Sequence, residues 1–370
     1  MGTRSIACSH PGRPGPCDLT GLVERSAPAV RTVPAGLSDP TTTTVDRRPG
    51  SARRTSHVDM IFGEAALASA LRLRGAARDT YTGAADDPPE VIAAATIDAR
   101  LGSSRELLSV ETSPHEPATT GLLGRPVGRG FRAALQETVW EATGDHDPLH
   151  LLLDDLPVAA LISGYATLYD SDGPEPGGQA PPGGAEGTPA RLLQEDICSG
   201  WRHDGTMMVA LRSGRGLPIP VGPVAPRIEE SDPHGWHPML DLPAKAMRRR
   251  RLIDVAGGEV LDVRAMFRDT HTGADGVETV LHEYTLTASV EPGSLRIVEC
   301  QARPQSLPWP ECPGATDSAR RLVGLSLEEL RAFVPREMRG TSTCTHLNDL
   351  LRSLADVAVL AAILARRRGD

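Results

Sequence analysis

Lysine is nearly missing from this chain. Of its 39 Lys and Arg residues only Lys245 is a lysine, a pattern that reads as coding bias rather than functional choice. Aromatic residues make up 3%, so the cores must rely on Leu, Val, Ile and Ala. Hydrophobic residues total 39%, which is low, while Gly 37 and Pro 32 are numerous. That combination predicts folded regions separated by open linkers. Positive charge is not in surplus: the net charge of -9 argues against general nucleic-acid binding. No segment reaches the roughly 18 apolar residues of a membrane span. The longest apolar run, 357-VAVLAAILA-365, is short and runs into Arg366, Arg367 and Arg368. The first residues, MGTRSIACSHPGRPGP, hold no apolar run of signal-peptide length. Cys8, Cys17, Cys198, Cys300, Cys312 and Cys344 are scattered, without the spacing of a disulfide scaffold. Together these absences predict a cytoplasmic, mainly reduced protein with neither a membrane nor a nucleic-acid partner. Walker loops, Gly-x-Gly-x-x-Gly, Gly-x-Ser-x-Gly and His-Glu-x-x-His are also lacking, and the glycines of 124-GRPVGRG-130 fit no phosphate loop.

What the chain does contain is one pattern written twice. The stretch 71-LRLRGAARDTYTG-83 answers 261-LDVRAMFRDTHTG-273, with Arg78 and Arg268 lying 268 − 78 = 190 positions apart. Downstream, 91–112 answers 280–300. In each, apolar residues alternate on either side of a turn, Gly102-Ser103-Ser104 or Pro292-Gly293-Ser294, which is a hairpin signal. Leu122-Leu123-Gly124 answers Leu322-Val323-Gly324, and 150-HLLLDDLPVAAL-161 answers 346-HLNDLLRSLADVAVL-360. Upstream, Val58-Asp59-Met60 answers Ile253-Asp254-Val255 and adds a strand to each unit. Strands first and helices last predict an α+β protein of two tandem repeats. Each would be a small antiparallel sheet with helices on one face.

The expected division is a disordered tail over 1–52, a first, divergent repeat over 53–170, a Pro/Gly-rich linker over 171–190, a connecting segment over 191–247 and a second repeat over 248–368. Within the connecting segment, 206-TMMVALRS-213 reads as a strand or a short helix, and the proline-rich 217–226 as extended chain. Ser326 and Glu329 form a capping box for a helix that should stop before Pro335. The final helix should run from about Thr345 to Arg367, with Leu347, Leu350, Leu351, Leu354 and Val357 at helical spacing. RDTYTG and RDTHTG read as turns, Asp154-Asp155 as a solvated edge, and the Arg248–Arg251 run as solvent-facing.

The chemistry-bearing residues concentrate in the second repeat. Asp79 matches Asp269 and His150 matches His346, but Tyr81 stands opposite His271, Ala93 opposite His282 and Pro148 opposite Cys344. Cys344 sits at the start of the last helix, where unpaired amides and the dipole would favour its thiolate. His346 lies two residues on. The candidate catalytic set is therefore Cys344, His346, His282 and Asp269, and the candidate metal set is Cys312, Cys344 and His346. A zinc or iron ion, or a thiolate nucleophile with an imidazole base, are the two chemistries these residue types allow. The alternative is a non-enzymatic adaptor or small-molecule binder in which Cys and His are structural. The shared position of His150 and His346 favours such a structural role for both.

The second repeat, through 249-RRRLIDV-255, 268-RDTHTG-273, 281-LHEYTLTASV-290, 312-CPGA-315, 322-LVGLS-326 and 343-TCTHLNDLL-351, resembles the bacterial domain-of-unknown-function family 2889. The first repeat is similar to a divergent copy of that domain. In the family pattern Asp269, His282, Cys312, Cys344 and His346 fall on recurrent polar positions. In topology the repeat is also similar to U-type iron–sulfur scaffolds. Cys312 and Cys344 match the first and last of their three cysteines, and the middle cysteine is absent here.

Overall fold

A computed structural model describes residues 32–34, 38–63, 71–84, 87–140, 147–166, 194–213 and 218–369. The first 31 residues, with Cys8 and Cys17, and the expected linker 171–190 lie outside the described residues.

Eight strands make one antiparallel sheet: β2 (Ser51–Ile61), β3 (Leu71–Thr82), β4 (Glu90–Leu101) and β5 (Leu107–Ser113) from the first half, and β7 (Met247–Ala256), β8 (Leu261–Thr272), β9 (Glu278–Val290) and β10 (Ile297–Pro304) from the second. The order is β10-β9-β8-β7-β2-β3-β4-β5, so the halves join through the β2–β7 ladder. Two short strands, β1 (Thr32–Pro34) and β6 (Ile219–Val221), pair in parallel apart from it. The expected α+β class is what the structure shows, but the sheet is continuous rather than two separate small ones. Hairpins fall where the alternating patterns met Gly102 and Gly293. RDTYTG and RDTHTG are not turns. Their Arg-Asp-Thr residues lie inside β3 and β8, each with a register shift just after the Asp, at Asp79/Thr80 and Asp269/Thr270. Such bulges re-aim the side chains beside them.

One face of the sheet carries helices. The helix α2 (Pro148–Ile162), which follows the short α1 (Phe131–Leu135), packs on β2, β3 and β4. Its continuation to Ala166 is long and apolar enough to span a bilayer, contrary to the expectation from composition, yet 78% of that window is buried inside the protein. Segment 206–212 is a helix, α3, with Met207 and Met208 buried as core filling. The capped helix α4 (Leu330–Glu337) runs through Pro335 instead of stopping before it. Proline's fixed φ suits a helix, and only two residues follow before the end, so a lost backbone bond there is tolerable. The last segment forms α5 (Thr345–Ser353), a tight 3-10 turn and α6 (Val357–Arg368), which packs on β2 and β7. Gly124 and Gly324 hold positive φ values of 76° and 88°, and each donates its N–H to the first residue of the nearby strand, Leu107 O and Ile297 O.

The opposite face is covered near its centre by the connecting segment and by residues 38–50. Trp236 donates to Thr44 Oγ1 at 2.8 Å, and Ile228 and Trp236 cover Leu252 and Met266. Residues 38–52, expected as part of the disordered tail, are thus placed on the sheet. Thr41 N, for instance, donates to Glu283 Oε1 at 2.7 Å.

With both faces covered, the Arg248–Arg251 run is buried, not solvated. Alternation sends Arg249 and Arg251 to the helix face, and Arg248 and Arg250 to the other. Arg251 pairs with Asp155 at 2.9 Å, Arg250 with Glu229 at 3.0 Å, and Arg248 with Asp59 at 2.6 Å. Asp154 and Asp155 are likewise buried, Asp154 meeting Arg352. Gly75 in β3 packs closely against β2 and α2. A Cβ there would lie 2.7 Å from His57 O and 3.1 Å from Leu152 Cδ2. Gly75→Ala should lower stability by about 1–3 kcal/mol through overpacking. Urea unfolding of the variant checks this, and an unchanged midpoint would contradict it.

Candidate metal centre

Three strands and one helix start build the site on the helix face of the second half. β7 contributes Arg249, β8 contributes Asp269, and β9 places His282 directly across from Asp269 in the ladder. His346 reaches over them from the first turn of α5. Its ring stacks on that of His282, with centroids 3.7 Å apart and planes 15° off parallel. His282 Nδ1 lies 3.8 Å from Asp269 Oδ2, and His346 Nε2 lies 3.9 Å from the same oxygen. Both nitrogens are buried and have no hydrogen-bond partner. The three ligand atoms all fall within 4.8 Å of one another.

Burial sets the protonation of this group. Desolvation holds His282 well below the ordinary imidazole pKa, with His346 and Arg249 adding to the effect and Asp269 opposing it. Burial likewise lowers His346 to about 3, and Arg249 adds to it. Both rings are therefore neutral at neutral pH and have lone pairs to offer. Arg249 grips Asp269 with two bonds of 2.7 and 2.8 Å and also reaches Asp349 at 3.0 Å. Asp349 also meets Arg132 at 3.3 Å. His346 keeps 13% of its side chain exposed.

The sulfur atoms sit to one side. Cys344 Sγ is 3.9 Å from His346 Nδ1, on the ring edge away from Asp269. Cys312 and Cys198 lie near Cys344 and Tyr284, and Tyr284 donates to Cys312 O at 3.3 Å. All are free thiols. The lowered pKa expected for Cys344 at a helix start is not found. Burial pushes it up to about 11, the neighbouring Cys198 adds to this, and the backbone N–H groups of Leu347 and His346 only partly offset it. Burial and Cys344 also push Cys312 well above the ordinary thiol range. Of the residues singled out in the sequence, the structure brings Asp269, His282 and His346 together, places Cys344 at their edge, and puts Cys312 with the thiols. Cys300 is a strand core residue.

Sequence reasoning missed Arg249, hidden in a run of four arginines, and Cys198, which lies in a stretch with no clear periodicity. At the matching positions of the first half, Arg54 pairs with Asp79 at 2.6 Å and Ala93 faces Asp79 across the ladder. There the His150 ring stacks on Trp140 instead, at 3.7 Å.

Residues 247–360 match the model of a family described as a protein of unknown function, DUF2889. The match begins at the first residue of β7 and ends inside α6, so it contains Arg249, Asp269, His282 and His346. Comparison with curated proteins and with solved structures found no match.

Proposed function

We propose that the second half of the chain binds one divalent transition-metal ion, zinc or iron(II), through Asp269 Oδ2, His282 Nδ1 and His346 Nε2. The observation that carries this is the pair of buried imidazole nitrogens, without hydrogen-bond partners, that each lie within 4 Å of one carboxylate oxygen. A buried ring nitrogen without a partner is costly, and a metal ion would satisfy both at once. A tetrahedral ion about 2.1 Å from its ligands separates them by roughly 3.4 Å, so Asp269 Oδ2 and each nitrogen must approach by about 0.4–0.5 Å and the stacked rings must turn toward the ion. Two imidazoles and one carboxylate suit zinc or iron(II) and leave an open position. Such an ion, when bound, polarises an oxygen ligand or lowers the pKa of a bound water. The raised thiol pKa values favour this reading over a Cys344 nucleophile.

On the same reading the first half is a divergent copy that keeps the Arg-Asp pair and the helix histidine but has Ala93 in place of a ligand. It would serve as structural support, in a cytoplasmic protein. Metal analysis of the full chain after reconstitution with zinc or iron(II) should find about one ion per chain. His282→Ala and His346→Ala should lose it, and Cys344→Ser should retain it. A wild-type chain that takes up neither metal sinks the proposal and favours a non-enzymatic adaptor.

A further inference from the structure

We propose a second site, independent of the metal centre: a recess on the helix-free face of the first half that binds a small zwitterion of dipeptide size. Its ammonium group would meet Asp98 and Glu111, and its carboxylate would meet Arg74 and His57.

The recess exists because the covering segment stops short. Ile228, Trp236 and Met239 close the sheet over Leu252 and Met266. The chain then turns, and Leu240 forms part of the rim, its carbonyl fixed by Arg248 at 2.6 Å and its side chain exposed. Beyond this rim lies a cavity of about 410 Å³ over β2 to β5. That volume is within the roughly 300–1,000 Å³ of small-molecule sites.

Its floor is two cross-strand rows. One runs His57, Ala76, Thr96 and Ser113, and apart from His57 it has only short side chains. The other runs Arg248, Asp59, Arg74, Asp98 and Glu111. Its charges alternate until the last step, where Asp98 and Glu111 face each other directly. Like charges opposite one another in a ladder repel. Arg72 pairs with Asp98 from alongside, and Glu111 is exposed at the end of the row. Arg72 offsets part of this repulsion, and an ammonium group beside Glu111 would offset the rest.

The donor side is equally prepared. Arg74 binds Asp59 through one terminal nitrogen at 2.9 Å, while its buried Nε has no partner. His57 is more than nine-tenths buried and is held from behind, its Nδ1 2.6 Å from His237 Nε2. His237 Nδ1 in turn lies 2.9 Å from Thr55 Oγ1. This relay fixes the ring at the cavity wall. Donors therefore sit on β2 and β3, and acceptors on β4 and β5. With strands about 4.8 Å apart, the distance from β3 to β5 is about 10 Å, room for a molecule with opposite charges at its two ends.

Isothermal titration calorimetry of the full chain with Gly-Gly, Gly-Leu and Leu-Gly tests the site. At least one dipeptide should bind, and its N-acetylated and C-amidated forms should not. Glu111→Gln, at an exposed position, should weaken binding about tenfold, equivalent to about 1.4 kcal/mol. Ala76→Phe should abolish it by filling the floor, with circular dichroism confirming the fold of both variants. No heat from any of the three dipeptides, equal binding of the capped forms, or binding indifferent to both substitutions overturns the proposal. Metal content should be unchanged throughout, so this result and that of the metal test are read separately.

Discussion

Replacing Asp254 with alanine should cost about 3–5 kcal/mol, the loss expected when one partner of a buried ion pair is removed. Asp254 is fully buried in β7 at the seam between the two halves. Its carboxylate accepts from Arg53 Nε at 3.0 Å and from Arg48 at 2.7 Å. Arg53 is its direct partner in the β2–β7 ladder, just as Arg248 is the partner of Asp59 six residues along β2. Removing the carboxylate leaves the buried Arg53 without its ionic partner, donating only to the carbonyls of Val45 and Gly235. Burial already lowers the Arg53 pKa, opposed by the charge and hydrogen bond of Asp254, so the variant withdraws the group that keeps it ionised. Urea unfolding monitored by circular dichroism measures the loss. A matched exposed change, Arg336→Ala, should shift stability by about 0.5 kcal/mol or less. Equal effects from the two would show that the seam is not held by its buried charges.

Acid should destabilise the protein well before its carboxylates titrate. Burial lowers His57 to about 4, opposed by Asp59 and reinforced by Arg248 and Arg250. Burial, then His57, holds His237 well below the ordinary value. The sign follows from linkage. An unfolded histidine titrates near pH 6.5, so below that the unfolded chain binds protons that the folded one refuses. Stability from this pair is complete above about pH 6.5 and falls as pH drops toward about 4, at about 1.4 kcal/mol per pH unit for each ring. Between pH 6.5 and 5, because the unfolded rings are already half protonated at the start of that window, the pair should lose about 3 kcal/mol. Burial alone would raise Asp59, but the hydrogen bonds and charge of Arg248 outweigh it and keep its pKa low. Its contribution is present above the ordinary carboxylate range and is lost only as pH falls through that lowered value, after the histidines. Urea midpoints at pH 7.5 and 5 should therefore fall steeply for the wild type and less for His57→Gln/His237→Gln. Identical pH dependence in the two proteins would remove the pair from the account.

Much of the site could be read from the residues. The 190-residue spacing aligns Asp79 with Asp269, and in the ladders Ala93 and His282 stand across from those two aspartates. His346 was placed at a helix start, and it is there. The thiol chemistry was misjudged because a helix terminus is a local feature while desolvation is not. Cys344 has the amides expected of it, but the surrounding core outweighs them. The arginine run was misjudged for a related reason. Four consecutive cations look solvated until their acids are found, and Asp155 and Asp59 lie 96 and 189 positions away from Arg251 and Arg248.

By itself the sequence determined what depends on short-range regularity: alternating strands, hairpin turns, the capped helix at Ser326, and which half holds the imidazoles. Only the tertiary structure decided that β2 and β7 join the halves into one sheet, that charged rows lie beneath both covering layers, and that His282 and His346 lie within 4 Å of one carboxylate oxygen. Periodicity and capping act over a few residues along the chain. Burial and charge pairing act between segments that meet only when the chain is folded, and they set which groups are ionised.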